Sequence, residues 1–568
     1  MRRTRCLFAA VIALGAVGCG DPLSYANPNS PDKALALGRP VDVEALISGS
    51  LNTAYNAMYT ATGALSVQMA NSSFESYSGL GNYGMGMRAA LPRVGIDNSR
   101  GAPPSENSGS PYDFLRLQRA AFAASLGLQS LNRPAFTMGS AARNVRARAF
   151  AHFVKGFALG HLALGYDSGA VVTENDDPAV VSPLVAYDSL MRAALTFLDS
   201  AIIIANTSPV PTGPASDWFP LPSSWMRNNT PASMTAATFV AFCRMLKAKF
   251  LAQVARTPAE RAAVDWAAVV AAGQAALGTD YVIDLNAGAG WDNQVIANNN
   301  RYGNWASGHF FFLAFADTTH TGTTYEYDTW LATTPTYNRQ PFLIRTPDLR
   351  FPAGATRTAQ IAVAAPSGTY GFPYWRNRSA TQDNPGDPIA FGYYDHFRFL
   401  TTQSAANRTG PYTLYPRAET NLLIAEGLIR TGNVAGALPW IDSTRSRAGL
   451  PRLSTAVPAI TDTIARVPGG TACVPRIPAP PTYTTSVCAN VWEALKWEMR
   501  METALTGYGE WFFHGRGWGD LPEGTPFHWP VPYQEMDARV LPFYNIGGVG
   551  ATGGAARGTY GLWGGGLY

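Results

Sequence analysis

The side chains of this sequence best suited to chemistry are aromatic. Sugar rings present apolar C–H faces that flat indole and phenol rings cover well, and a Tyr hydroxyl or Trp N–H can also reach a polar partner. Trp291, Trp305, Tyr325, Tyr327, Trp330, Tyr337, Tyr374 and Trp375 fall in one stretch; Phe74, Tyr77, Tyr83 and Trp218 fall in others. Asn293, Asn304, Asn338 and Arg339 stand beside some of them, as the few polar groups of a pocket must. These are the candidate ligand contacts, and core packing is the competing reading of each ring. Phe310 to Phe312 lack a polar handle and read as core.

The titratable groups offer less. Glu498 and Glu502 lie four apart, on one helix face. A glycosidase acid and base stand on opposite sides of a substrate, so this pair reads as ion-pair partners of Lys496, Arg500 and Arg516. Glu174-Asn175-Asp176-Asp177 carries the oxygen ligands that calcium takes and reads as an acidic surface turn. His152 and His161 are nine apart, roughly 180° from each other on a helix, which makes no metal pair. No HExxH, Gly-x-Ser-x-Gly or P-loop occurs. No catalytic residue, metal or cofactor is expected.

Five cysteines mark the compartment. Met1 to Arg5 is short and basic, Leu7 to Val17 is apolar, and small residues lead to Cys19. That is a signal-peptide layout. A Cys directly after small residues points to a bacterial lipoprotein acylated on Cys19; the alternative is an ordinary secretory signal. Cys6 leaves with the signal, and Cys243 sits in an apolar helix as a buried thiol. Cys473 and Cys488 bracket Pro475, Pro478, Pro480 and Pro481. In an oxidising compartment they close this loop for about 3 kcal/mol, the alternative being two unpaired thiols.

Composition sets the outer limits. The 568 residues allow about three to four domains. Charged residues are 14% and aromatics 12%. A disordered chain would be charge-rich and aromatic-poor, and a nucleic-acid binder would be basic. Losing Arg2, Arg3 and Arg5 lowers the formal charge from +4 to +1. A near-neutral, aromatic-rich surface favours an uncharged partner.

Helices must position these groups. Apolar spacing predicts helices over Asp42–Met58, Ala141–Tyr166, Pro183–Asn206, Thr235–Arg256, Pro258–Leu277, from Tyr415, over Val434–Arg447 and around Ala494–Leu505. Ala158, Gly160, Ala193 and Ala194 let neighbours approach closely. The result is a mainly α fold of tetratricopeptide-like hairpins, packed against a loop-rich, aromatic-rich region with a few short strands. Residues 281–400 hold 23 of the 66 aromatics in 120 residues. Phe310 to Phe315 reads there as a short strand. Loops that long inside a compact domain are usually functional. The chain divides into signal (1–18), tether (19–40), helical N-terminal part (41–278), loop-rich ligand-binding region (279–410) and C-terminal helix pairs with a closing segment (411–568). Residues 41–568 are expected to form one unit.

Four segments resemble the SusD/RagB family of outer-membrane nutrient-capture lipoproteins. They are Cys19 followed by Asn27-Pro28-Asn29; RARAFAHFVKGFALGHLALGYD (146–167); RAETNLLIAEGLIRTGNVAGALPWIDSTRSRAGLP (417–451); and ALKWEMRMETALTGYGEWFFHGRGWGDL (494–521). They occur in the family's order. The resemblance implies a monomeric, non-enzymatic binding protein, lipid-anchored in the outer membrane and facing outward. It would bind an oligosaccharide or glycan and deliver it to a SusC-like TonB-dependent barrel. Residues 281–400 align with nothing in the family, so no ligand residue carries over. Rival expectations are the same role with peptide ligands, a secreted glycan-active enzyme using Glu498, and a helical scaffold that binds proteins.

Overall fold

The computed structural model describes residues 37–60, 65–81, 84–102, 110–177, 179–207, 235–296, 306–335, 338–366, 371–379, 392–400 and 409–560. Cys19, the residues before it and Asn27 to Asn29 lie outside them.

Eight helices stack in chain order. They are α1 (Pro40–Tyr55), then, after the short buried α2 (Leu65–Ser72), α3 (Ser110–Leu131), α4 (Ala141–Gly165), α5 (Tyr187–Thr207), α6 (Ala236–Gln253), and, after the single turn α7 (Pro258–Ala262), α8 (Trp266–Gln274), α9 (Arg417–Arg430) and α10 (Val434–Arg445). Each packs on the next: α1 on α3, α3 on α4, α4 on α5, α5 on α6, α6 on α8, α8 on α9, α9 on α10. This is the quasi-one-dimensional packing of a hairpin repeat. Two further helices, α11 (Val491–Thr503) and α12 (Glu510–Trp518), close the array, α11 against α9 and α10.

Local sequence explains the starts. Ser140, Thr235, Asp265, Asn433 and Asn490 each accept a backbone N–H from the first turn of α4, α6, α8, α10 and α11. Such caps contribute about 1 kcal/mol apiece. Close approach explains the glycines within α4. A Cβ on Gly160 would lie 2.2 Å from the Phe250 ring of α6, and one on Gly156 2.7 Å from Leu198 of α5.

Several expectations shift. The helix expected from Pro183 begins at Tyr187, because Leu184–Ala186 (β2) pairs antiparallel with Ser168–Ala170 (β1). The stretch Pro258–Leu277 is two helices, since Asp265 caps a new start at Trp266. Phe310 to Phe315 is helical: His309 Nδ1 accepts the Phe311 N–H, and every ring is buried, so no two-residue alternation exists to make a half-buried strand. α3 and the short α2 lie where no helix was expected.

Among the described residues the strands form five two-stranded antiparallel ribbons. The longest joins β3 (Tyr281–Asn286) to β8 (Thr409–Tyr415), pairing Ile283 with Tyr412. Between these strands lie β4 (His320–Thr321), β5 (Thr324–Tyr325), β6 (Trp375–Asn377) and β7 (Tyr394–His396). The fifth ribbon is β9 (Arg476–Pro478) with β10 (Ser486–Cys488). One hydrophobic cluster fills α1 to α6 and the β3–β8 ribbon; the second joins the aromatic-rich insert to α8 to α12. No helix among the described residues is long and apolar enough to cross a membrane.

Candidate functional site

The β3–β8 ribbon holds the two ends of the insert together, and most of its rings turn inward. Tyr327, Tyr374 and Trp375 are 0% exposed, and Trp291 and Trp330 are 4% exposed. Trp291 lies 4.8 Å from Tyr55 between ring centroids, and Trp375 meets His396 edge to face at 5.2 Å. Arg339 covers the face of Trp330 at 4.4 Å and donates to the carbonyls of Leu331 and Thr333. Tyr374 donates its hydroxyl to Glu502 at 3.2 Å. Tyr77, almost buried, forms a backbone bridge to Ser307. The rings expected to receive a sugar at Trp291, Tyr327, Trp330, Tyr374 and Trp375, and the guanidinium of Arg339, are therefore core here. Each already has its faces or donors occupied by protein. Trp305, Tyr337, Tyr83, Asn304 and Trp218 lie outside the described residues.

Two candidates stay open to solvent. Asn338 is exposed, and Tyr325 is half-buried at the end of the exposed β4–β5 ribbon. The Arg476 guanidinium lies 3.4 Å from the Tyr325 ring centroid, a close cation–π contact. Arg476 comes from β9, within the loop that Cys473 and Cys488 close; their sulfurs are bonded at 2.08 Å. Asp328 accepts the Ser486 N–H at 2.7 Å and ties this hairpin to the insert. The arrangement is a supported aromatic edge, with His320 at 5.4 Å, Thr324 and Gly322 around it. It can lie against a flat, hydroxyl-bearing ligand. The cysteine spacing pointed to the loop; nothing in it marked Arg476 as the support of Tyr325.

The acidic pair has a different task. Glu498 and Glu502 are fully buried. Arg350 donates to Glu498 at 2.8 Å and to Asp348 at 2.7 Å; Arg445 reaches Glu498 at 3.5 Å and Arg447 reaches Glu502 at 2.5 Å. Burial raises the Glu498 carboxyl against the pull of Arg350 and Arg445. Burial also works against ionisation of Glu502, but Arg447, Arg350 and Arg398 outweigh it and lower its pKa. The expected partners are engaged elsewhere. Lys496 pairs with Glu493 and Asp520, while Arg500 and Arg516 donate to backbone carbonyls. With no open oxygen between them for water or sugar, these carboxylates form a structural ion cluster.

A second buried cluster ties α6 to α9 and α12. Lys249 lies between Glu419 and Glu510, and Gln253 donates to both. Arg261 pairs with Glu426 at 2.6 Å; burial alone would raise that carboxyl, but Arg261 and Arg430 hold it at about 2. Burial disfavours the charged form of the buried histidines. Burial lowers His152 and His161 to about 4 and takes His309, His396 and His514 well below their ordinary value. No group of three metal-ligating side chains occurs among the described residues. Glu174 of the acidic turn pairs with Lys155 at 2.8 Å, and Asp176 and Asp177 accept N–H groups of their own turn.

No protein-family model matches the sequence, and no curated protein is similar to it. Solved structures do align. A SusD superfamily protein from Bacteroides vulgatus aligns with 88% of this chain and 97% of its own, at a TM-score of 0.52 and 12% identity. A laminarin-binding SusD-like protein covers 89% of this chain and 98% of its own, at 0.48 and 14%. Surface glycan-binding protein A from Bacteroides uniformis covers 88% and 98%, at 0.48 and 12%.

Proposed function

We propose that this chain, which has the SusD-superfamily fold, is a surface capture protein. It binds a mostly uncharged oligosaccharide and hands it to a SusC-like TonB-dependent barrel in the outer membrane, tethered there by lipid on Cys19. The carrying observation is architectural: a stack of helix hairpins bearing a loop-rich insert, aligned along 88% of the chain with a SusD superfamily structure. The near-neutral composition and the supported Tyr325 edge agree with a neutral ligand. Burial of Glu498 and Glu502 against three arginines speaks against the glycosidase reading of that pair.

Calorimetric titration of the purified protein against a panel of neutral glycans and peptides tests the ligand class. Saturable heats with a glycan and none with peptides are expected; peptides alone giving heats would reverse the ligand assignment. Cys19→Ala should release the protein from the membrane fraction and leave glycan binding intact. Recovery of an outer-membrane barrel with the wild type tests the partner.

A further inference from the structure

Apolar exposure is unevenly spread over this chain. Among the described residues fifteen large apolar side chains are exposed, and five of them, Val180, Val181, Val540, Leu541 and Phe543, lie in two neighbouring loops. Arg539 Nη1 donates to the Ser182 carbonyl at 2.5 Å and holds the loops together. Val540 to Phe543, with Pro542 exposed between them, is a run of four apolar residues facing water. A surface that meets only solvent rarely carries such a run.

Val540 is the least expected of the five. It follows α13 (Tyr533–Ala538) at the position that glycine usually fills after a helix. Its φ is +57°, a left-handed conformation that a β-branched residue rarely adopts. Two hydrogen bonds fix it there: the Val540 N–H donates to Asp537 O at 3.0 Å, and the Leu541 N–H to Met536 O at 2.8 Å. Those bonds need the backbone conformation but not the side chain, and a glycine would make both without strain. The Val540 side chain is 92% exposed, so no packing within the chain offsets the strain. A strained backbone that presents an isopropyl group to water makes sense as one half of a contact.

The surroundings say what the other half is. Charges beside the run are paired, Arg100 with Asp537 at 2.6 Å and Arg539 with Glu535 at 2.7 Å. Arg100 also lies 5.4 Å from the Phe543 ring centroid, and Tyr533 meets that ring edge to face at 6.3 Å, so the run is ordered before any partner arrives. A strongly basic or acidic partner would oppose one sign of these pairs; a second copy of this chain brings both signs and the same apolar run. Exposed apolar patches on single chains reach about 300–600 Å². Two of them face to face bury about 600–1,200 Å², the lower edge of specific interfaces and the size of a weak, reversible contact. We infer that this face joins two copies of the chain in a weak, symmetric dimer that buries Val540, Val180 and Val181. A twofold axis makes the contact self-complementary and limits it to two copies. The inference uses neither the Tyr325 edge nor the capture reading, and it departs from the monomer that the family resemblance implies.

The test is sedimentation velocity of the full chain carrying Cys19→Ala, which removes the lipid attachment point, over about 1–200 μM. A monomer–dimer equilibrium with a Kd of about 10–100 μM is expected. Val540→Asp and Val181→Asp should each weaken it about tenfold or more. Val540→Gly should weaken association about tenfold and also raise the thermal midpoint of the dilute monomer by about 1–2 °C, because the strain leaves with the side chain. Val457→Asp, at an equally exposed valine on another loop, should change neither. A chain that stays monomeric across that range, or a dimer that survives Val540→Asp, would overturn the inference. So would Val540→Gly raising the midpoint with association intact, since the strain would then serve nothing at the contact. A monomer that recovers an outer-membrane barrel, and loses it with Val540→Asp, would hand this face to the barrel and end the dimer reading.

Discussion

Glu75 gives the sharpest test of the buried electrostatics. Its side chain is 2% exposed, and its Oε1 accepts the Leu505 N–H at 2.6 Å, with Leu505 held at φ +53°. Burial, opposed by that hydrogen bond and reinforced by Glu510, pushes the carboxyl up to about 8. A folded-state pKa above the unfolded value means that the folded state holds a proton the unfolded chain releases. The stabilisation is therefore complete below about pH 4.5 and fades as pH rises towards 8. Linkage puts the loss between pH 5 and pH 7.5 at about 3 kcal/mol. Glu75→Gln keeps the acceptor for Leu505 and removes the titration. Urea unfolding of both proteins should show the variant gaining on the wild type by that amount between the two pH values. Using the difference between the two proteins cancels the titrating groups that do not interact with Glu75. Parallel stability curves would refute the assignment of a protonated Glu75.

The remaining predictions concern packing, ion clusters and the disulfide. Gly160→Ala pushes a methyl into the Phe250 ring; overpacking of about 1–3 kcal/mol exceeds the helix-propensity gain of about 1 kcal/mol. Its thermal midpoint should fall, with recovery in the Gly160→Ala/Phe250→Leu pair, and an unchanged midpoint would contradict the close α4–α6 approach. Arg350→Met strips Asp348, Glu498 and Glu502 of their central cation and should cost about 3–5 kcal/mol at pH 7.5, read as lost soluble yield and a lower urea midpoint. Replacing both Cys473 and Cys488 by Ser opens a 15-residue separation and should cost about 3 kcal/mol without altering helix content by circular dichroism. A stability equal to wild type would mean that the unfolded chain gains nothing from release of the loop.

The helices were legible because their apolar stripes are local. Ala418, Leu422 and Ala425 mark the buried face of α9 within a single helix, and Gly432-Asn433 ends it and caps the next. The arginines of the Arg-x-Arg-Ala-Gly-Leu stretch carried a resemblance, but their partners did not show. Arg445 and Arg447 meet Glu498 and Glu502 some fifty residues later, and Arg350 reaches the same glutamates from about 150 residues before them. The aromatic insert misled for the same reason. Nothing local separates a Trp that lines a cleft from a Trp that is covered by α11 and α12. Phe312 and Phe315 pack on Trp511 and Trp497, residues brought there by the fold alone.

The β3–β8 ribbon carries a consequence for how such chains diversify. Its two strands bring the ends of a 122-residue excursion side by side, so the helix stack experiences the insert as a closed socket. Loop-closure entropy grows only with the logarithm of length, about 0.6 kcal/mol per doubling. The length of what is plugged into that socket is nearly neutral for the stack. What constrains a replacement is the face it must cover: the part of α11 and α12 that Phe312, Phe315 and Trp375 now keep dry. A chain that grafts a different excursion between Asn286 and Thr409, while refilling that face and supplying a cation to Glu498 and Glu502 in place of Arg350, should keep its scaffold.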